Sequence, residues 1–201
     1  MTRPRQERAQ DALEILTALR QAALDMESRH SATLAGIAPE RRPSAENLLH
    51  YLALRQHDIR PLQSTLKSLG LSRLASPEAH TLASFDAVAT ALRGLAGLAI
   101  EDSDDPGAAI LAGDARLCTQ AETLLGPPRP GHSARIMVTL PTEAATQPHL
   151  THDLIAAGLD LVRINCAHDD PDVWLAMIRH VREAEQACGR ACRIHVDLAG
   201  P

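Results

Sequence analysis

The chain has 201 residues, of which 45% are hydrophobic, and a formal net charge of −5 at pH 7. This length allows one or two domains, and an acidic balance without any Lys/Arg run argues against nucleic-acid binding. No window approaches the run of about 18 apolar residues that a membrane span needs, and the amino terminus lacks the apolar core of a secretory signal. We therefore expect a cytoplasmic protein with neither a nucleic acid nor a membrane as partner.

The cysteine and lysine contents limit the chemistry further. Four cysteines in a long Leu- and Ala-rich chain without a secretory signal are typical of reduced thiols. Cys188, Cys192 and His195 have a spacing that suggests zinc, but a clear fourth ligand is missing, and Cys192 and His195 fall on opposite faces of one predicted strand. Lys67 is the only lysine, so any lysine-dependent catalysis within this segment would have to use it.

Helical periodicity dominates residues 1–126. Apolar residues recur at helical spacing, and Ser, Asp, Pro and Gly mark the helix ends. After a first helix with a stripe through Leu16 and Leu19, the pattern predicts four helices, over residues 44–55, 58–69, 76–93 and 114–125. An acidic loop, Glu101–Gly107, separates the last two. Residues 127–133 are rich in Pro and Gly, so we predict a helical extension over 1–126, a linker over 127–133 and a second domain over 134–201.

The second domain is predicted to be α/β. A strand over 134–140 is followed by a helix that stops at Gly158, a strand over 159–165, a helix capped by Asp170 that stops at Gly189, and a strand over 192–198. This βαβαβ order predicts parallel strands joined by right-handed crossovers. Three parallel strands cannot cover both faces and both edges of a sheet. We therefore expect this region to be part of a larger domain that continues beyond Pro201.

Polar groups follow the apolar run of the middle strand. They are Arg163, Asn165, His168, Asp169 and Asp170. In α/β folds, the chemistry lies at the carboxyl ends of the strands. An arginine there offers a planar, always-charged fork for a phosphate or a carboxylate. The sequence therefore predicts a phosphate- or metal-binding site at this position.

Three segments in order carry a family resemblance. They are ARIMVTL, then DLIAAGLDLVRINCAHDD, then EAEQACGRACRIHVDLAGP. Together they resemble the start of the barrel domain of pyruvate kinase, with its AGM-x-x-x-R-x-N-F-S-H-G and D-x-KGP-like segments. The helical region resembles the N-terminal extension of some bacterial pyruvate kinase-like proteins. The resemblance implies a helical region followed by the first βαβαβ units of a TIM (β/α)8 barrel that is incomplete here.

The resemblance also implies an activity and its ligands. The whole protein would be a glycolytic phosphotransferase that converts phosphoenolpyruvate and ADP to pyruvate and ATP, with magnesium and potassium as cofactors, and it would be a homo-oligomer. Arg163 matches the catalytic, substrate-binding arginine that contacts the transferred phosphoryl group. Asn165 and His168 match residues on the nucleotide side. Asn165, Asp197 and the backbone carbonyl of Leu198 match ligands of the monovalent cation.

Two departures from the family pattern affect the site. Ala167 stands where the family has a cation-binding serine, so one oxygen ligand is missing and the potassium site is weakened. Asp169 stands where the family has glycine. The family's catalytic lysine and magnesium ligands would lie beyond Pro201, so this segment alone is expected to be inactive.

Two other interpretations remain open. The first is a lyase of the phosphoenolpyruvate-using barrel type, which also places an arginine at a strand end. The second is a non-catalytic protein, in which the helical region serves regulation or oligomerisation on a degenerate barrel. In that case Arg163 and Asp197 would form a purely structural salt bridge, because charges at strand ends often only satisfy each other.

Overall fold

The computed structural model describes residues 4–100, 105–132 and 134–200. It divides into two compact units, residues 1–117 and residues 118–201. The predicted acidic loop at Glu101–Gly107 lies largely outside the described residues. Within the described ranges, no helix is both long enough and apolar enough to cross a membrane.

The first unit is all-helical. Its helices are α1 (Arg5–Arg29), α2 (Ser31–Ala35), α3 (Arg42–Arg55), α4 (Arg60–Leu69), α5 (Thr81–Ala96) and the start of α6 (Pro106–Leu125). Helix α1 packs against α3, α4 and α5. The core consists mostly of Leu and Ala side chains around Phe85, as expected for a chain with so few aromatic residues. The division between the units falls inside α6, and the three predicted domain boundaries stay predictions.

The start of α5 differs from the prediction. The predicted start at Ser76 was wrong, because the chain first makes a turn in which the His80 N–H donates to the Pro77 carbonyl at 3.1 Å. Helix α5 begins at Thr81, whose N–H donates to Oδ1 of Asn47 on α3 at 2.8 Å. A side chain distant in sequence therefore caps this helix and overrides the local Ser-Pro signal.

Other helix ends also differ from the predicted ones. Helix α5 continues through Gly94 and ends at Gly97, whose φ of 72° is a conformation that glycine adopts at little cost. Helix α6 begins at Pro106 rather than Asp114, because Oδ1 of Asp105 accepts the N–H of Gly107 at 2.8 Å. Helix α3 begins at Arg42, before the predicted Ser44. For α6, the pair Asp105-Pro106 is itself a strong signal for a helix start, but it lies at the end of an acidic run that was predicted to be a loop.

The second unit has the predicted order of elements. It contains β1 (Met137–Thr139), a 3-10 turn (Thr142–Ala145), α7 (Pro148–Ala156), β2 (Leu161–Asn165), α8 (Pro171–Cys188) and β3 (Arg193–Asp197). The sheet is parallel in the order β1-β2-β3. Asp170 caps α8 by accepting the N–H groups of Asp172 and Val173 at 3.0 and 3.1 Å, and Gly189 ends that helix. The α/β prediction is confirmed at this level, although all three strands are shorter than predicted.

The two faces of the sheet differ. Val138, Val162 and Ile194 share one register position and pack with residues of α8 in the core of this unit. Because side chains alternate along a strand, the neighbouring positions Thr139, Arg163 and His195 lie on the opposite face. The alternation therefore turns the polar residues of the strands away from α8.

A buried charge cluster joins the amino ends of the strands. The side chain of Asp160 is only 6% exposed and lies 2.7 Å from Nη2 of Arg190. Its other oxygen accepts the N–H of Ile136, just before β1, at 2.8 Å. Arg190 also donates to the carbonyl oxygens of Ile155 and Gly158, both at 3.2 Å. One carboxylate therefore ties together the segments that lead into all three strands.

Candidate functional site

Arg163 is the centre of a polar cluster at the carboxyl ends of the strands. Its Nε donates to Oδ2 of Asp197 at 2.9 Å, and its Nη2 donates to the same oxygen. Its Nη1 donates to Oγ1 of Thr139 at 3.1 Å. The register explains this grouping, since Thr139 pairs with Arg163, and Asp197 lies two positions beyond the residue opposite Arg163.

The Arg163–Asp197 pair is partly accessible to solvent. The side chains of Arg163 and Asp197 are 32% and 40% exposed. A guanidinium has five N–H donors, so the three bonds to Asp197 and Thr139 leave one donor on each Nη atom. The arginine can therefore approach an anion without giving up its partners. At this exposure the pair contributes at most about 1 kcal/mol to stability.

Asn165 and His168 belong to the loop that follows β2. Oδ1 of Asn165 accepts the N–H of Ala167 at 3.1 Å, so the amide oxygen shapes its own loop. The carbonyl of His168 accepts Nε1–H of Trp174 at 2.9 Å, which fixes this loop to α8. The imidazole of His168 is exposed and has no hydrogen-bond partner among the described residues. Both side chains can therefore turn an amide N–H or a ring nitrogen toward a ligand.

Asp169 has a strained backbone, with a φ of 62°. This left-handed conformation favours glycine, which is the residue that the resembling family carries here. Oδ1 of Asp169 accepts the hydroxyl of Thr142 at 2.9 Å and so links the loop after β2 to the turn after β1. Thr142 was not among the predicted site residues, because only the three-dimensional neighbourhood of the two loops shows this contact.

A cleft of about 150 Å³ lies between these loops. Ile164 and Met177 contribute apolar surface, and Thr139, Asn165 and His168 contribute polar groups. Asp197 and Leu198 do not line the cleft. The structure therefore brings Asn165 and His168 together in the cleft and Arg163 together with Asp197 beside it.

The residues do not fit the potassium site that the resemblance implies. Two N–H groups of Arg163 already bond to Oδ2 of Asp197, and Oδ1 of Asn165 is used within its own loop. Ala167 has no side-chain oxygen. In the described part of the chain, no group of three or more His, Cys, Asp or Glu side chains is arranged to hold a metal ion. The Arg163 guanidinium supplies the positive charge that faces Asp197.

Cys166 lies in the loop after β2, where its backbone N–H donates to the carbonyl of Asp197 at 2.9 Å. The structure does not bring Cys192 and His195 together. Cys192 is buried in the core of the second unit, whereas His195 lies on the face of the sheet that carries Arg163. Burial and the nearby Glu185 carboxylate raise the pKa of the Cys192 thiol to about 11. The thiol is therefore protonated at neutral pH, which disfavours attack by it on a substrate.

Two curated relatives match the chain, and both are pyruvate kinases. The chain is 38% identical to the protein of Aeropyrum pernix over 48 residues, which cover 24% of this chain and 10% of the relative. It is 34% identical to the protein of Agrobacterium vitis over 73 residues, which cover 36% of this chain and 15% of the relative. The chain therefore matches only a small part of these relatives. No family model and no solved structure matches it.

Proposed function

We propose that this chain is part of a pyruvate kinase-like phosphotransferase and that it contributes the arginine that binds the phosphoryl group. The reaction would convert phosphoenolpyruvate and ADP to pyruvate and ATP. The observation that carries the proposal is a partly exposed guanidinium with two uncommitted N–H donors at the carboxyl end of β2. The short similarities to two pyruvate kinases support it.

In this proposal each side chain of the site has a separate role. Arg163 binds the phosphoryl oxygens through the donors that Asp197 and Thr139 leave unused. Asp197 and Thr139 act as positioning residues, because each holds a different nitrogen of the guanidinium. Phosphoryl transfer depends mainly on positioning and on neutralising charge. Asn165 and His168, which line the neighbouring cleft, would contact the nucleotide.

The remaining parts of the proposal concern the whole protein. We propose that β1, β2 and β3 begin a TIM barrel and that the whole protein is a cytoplasmic homo-oligomer. Magnesium, the expected cofactor, would help to neutralise the phosphate charge, but the described residues form no ligand set for it, so no step through it is assigned to this chain. Potassium is expected to matter less than in the resembling family.

Binding of phosphoenolpyruvate to this chain tests the proposal directly. Calorimetric titration should show binding that is lost in Arg163→Gln and kept in Arg179→Gln. Arg179 is a suitable control because it is an exposed arginine on α8 whose one partner among the described residues is Glu183, at 3.9 Å. Binding that is equally strong in wild type and Arg163→Gln would refute the role of Arg163.

One observation favours a second candidate, a non-catalytic protein. The Arg163 guanidinium is already paired with Asp197 and Thr139, as a structural salt bridge would be. In that case neither the wild type nor Arg163→Gln would bind phosphoenolpyruvate, and Arg163→Gln would lower the free energy of unfolding by at most about 1 kcal/mol. The titration therefore distinguishes the two candidates.

A further inference from the structure

The first unit contains a cavity of about 810 Å³. The cavity lies among α1, α3, α5 and the beginning of α6. Its volume is far larger than that of the cleft beside Arg163. Leu13, Leu82 and Ala83 give part of its wall an apolar character. This volume falls within the range of roughly 300–1,000 Å³ that is usual for small-molecule sites.

Two charged side chains in this wall have no partner in the part of the chain that the structure describes. Arg116 on α6 and Glu46 on α3 are both half-buried, and neither forms a hydrogen bond or an ion pair within the described ranges. Arg20 and Asp86, in the same wall, pair with each other at 2.6 Å. Partial burial of an unpaired charge costs free energy. A ligand that supplies the missing partners would recover it.

The position of Arg116 depends on one small residue. Gly113, one turn earlier on α6, is buried against Ala79 and His80, and a Cβ atom there would overlap the carbonyl oxygen of Ala79. The helix can therefore approach the turn before α5 more closely than any other residue type would allow. This close approach brings the first turns of α6, with Arg116, to the cavity wall.

We propose that this cavity binds a small zwitterion, in which a carboxylate and an ammonium group are separated by an apolar segment. The planar fork of Arg116 suits a carboxylate, and the Glu46 carboxylate suits an ammonium group. Because the two side chains do not pair with each other, a single molecule that carries both charges can satisfy both of them. A ligand with only one charged group would leave the other side chain unpaired.

A series of ligands of increasing length tests this proposal. Calorimetry measures the binding to the full chain of four amino acids of increasing length: glycine, aminobutanoate, aminohexanoate and aminooctanoate. In the three longer ones the amine is at the end opposite the carboxylate. Hexanoate and hexylammonium are the singly charged controls. We expect the affinity to depend on chain length, because the ligand has to reach Arg116 on α6 and Glu46 on α3 at the same time. The matching singly charged molecules should bind roughly tenfold or more weakly, since each loses one charge-assisted contact.

Variants show whether the two side chains are responsible. Arg116→Gln and Glu46→Gln should each weaken binding of the best zwitterion by roughly ten- to a hundredfold. Arg55→Gln and Glu14→Gln alter exposed residues of α3 and α1 outside the cavity and should leave binding unchanged. If Arg116→Gln fails to fold, as judged by circular dichroism, Arg116→Lys replaces it, with weaker binding expected because the fork is lost.

Two results would overturn the proposal. The first is that no zwitterion of the series binds to the folded chain. The second is that hexanoate binds as tightly as aminohexanoate and that Glu46→Gln has no effect, since the cavity would then be a simple anion site.

Discussion

Arg163 and Asp197 lie diagonally across neighbouring parallel strands and bond through Nε and Nη2 of the arginine to a single carboxylate oxygen. Within the described ranges, the other carboxylate oxygen of Asp197 and two guanidinium N–H donors have no partner. This one-sided contact orients the guanidinium and leaves part of its fork available. The same geometry suits a phosphate-binding arginine and a structural salt bridge, and substitution of Arg163 distinguishes these two roles.

Replacing Arg163 with lysine would separate these two roles in the pyruvate kinase-like enzyme that we propose contains this chain. Lysine keeps the charge and loses the planar fork. If Arg163 stabilises charge on the transferred phosphoryl group, turnover should fall by roughly a hundred- to a thousandfold, about 3–4 kcal/mol. The melting temperature, measured on the same sample, should change little, because an exposed ion pair contributes little to stability. A destabilised variant with normal turnover per folded molecule would point to a structural role.

Potassium should have little effect on this chain. Asp197 already faces the Arg163 guanidinium, and Ala167 offers no oxygen, so melting temperatures in potassium chloride and tetramethylammonium chloride should agree. Ala167→Ser restores one hydroxyl oxygen suited to a hard cation, but Asp197 and Oδ1 of Asn165 keep their partners, so the melting temperatures of this variant in the two salts should also agree. Ala191→Ser, in the exposed loop before β3, is the control. A potassium-specific stabilisation of the wild-type chain would contradict this expectation.

Asp160 should be the most sensitive charged residue of the second unit. Asp160→Asn keeps the shape and removes the charge that pairs with Arg190, whose side chain is 28% exposed and can be partly solvated, so the loss should be about 1–3 kcal/mol. Denaturant titration should show this loss of unfolding free energy. Asp153→Asn, at an exposed position on α7, should change the unfolding free energy by less than about 0.5 kcal/mol. Equal stability of the two variants would show that the cluster around Asp160 is dispensable.

Cys192 should be the slowest of the thiols to react. With a pKa of about 11, only roughly one thiol in a thousand is ionised at pH 8, and the thiolate is the reactive form. Burial also blocks access to its sulfur, whereas Cys118 is exposed. Iodoacetamide labelling followed by peptide mass spectrometry should therefore modify Cys118 first and Cys192 only after denaturant is added. Rapid labelling of Cys192 in the folded chain would show that its burial is transient.

Local sequence signals were sufficient for the ends of α8 and insufficient for the start of α5 and for contacts between strands. Asp170 and Gly189 mark the ends of α8 through contacts within a few residues, so their roles could be predicted. The start of α5 depends on Asn47, which is distant in sequence, so no local signal reveals it. The bond between Arg163 and Asp197 follows from strand register, which the periodicity of single strands does not specify.

The cap that Asn47 provides makes the first turn of α5 conditional on tertiary docking. A peptide that contains α5 without α3 has Ser76 and Pro77 as its best local start, so in isolation its helix should begin about one turn earlier. Docking on α3 would then unwind that extra turn. The backbone amide of Thr81 therefore reports, in hydrogen exchange, whether these two helices have assembled, in addition to whether each has formed.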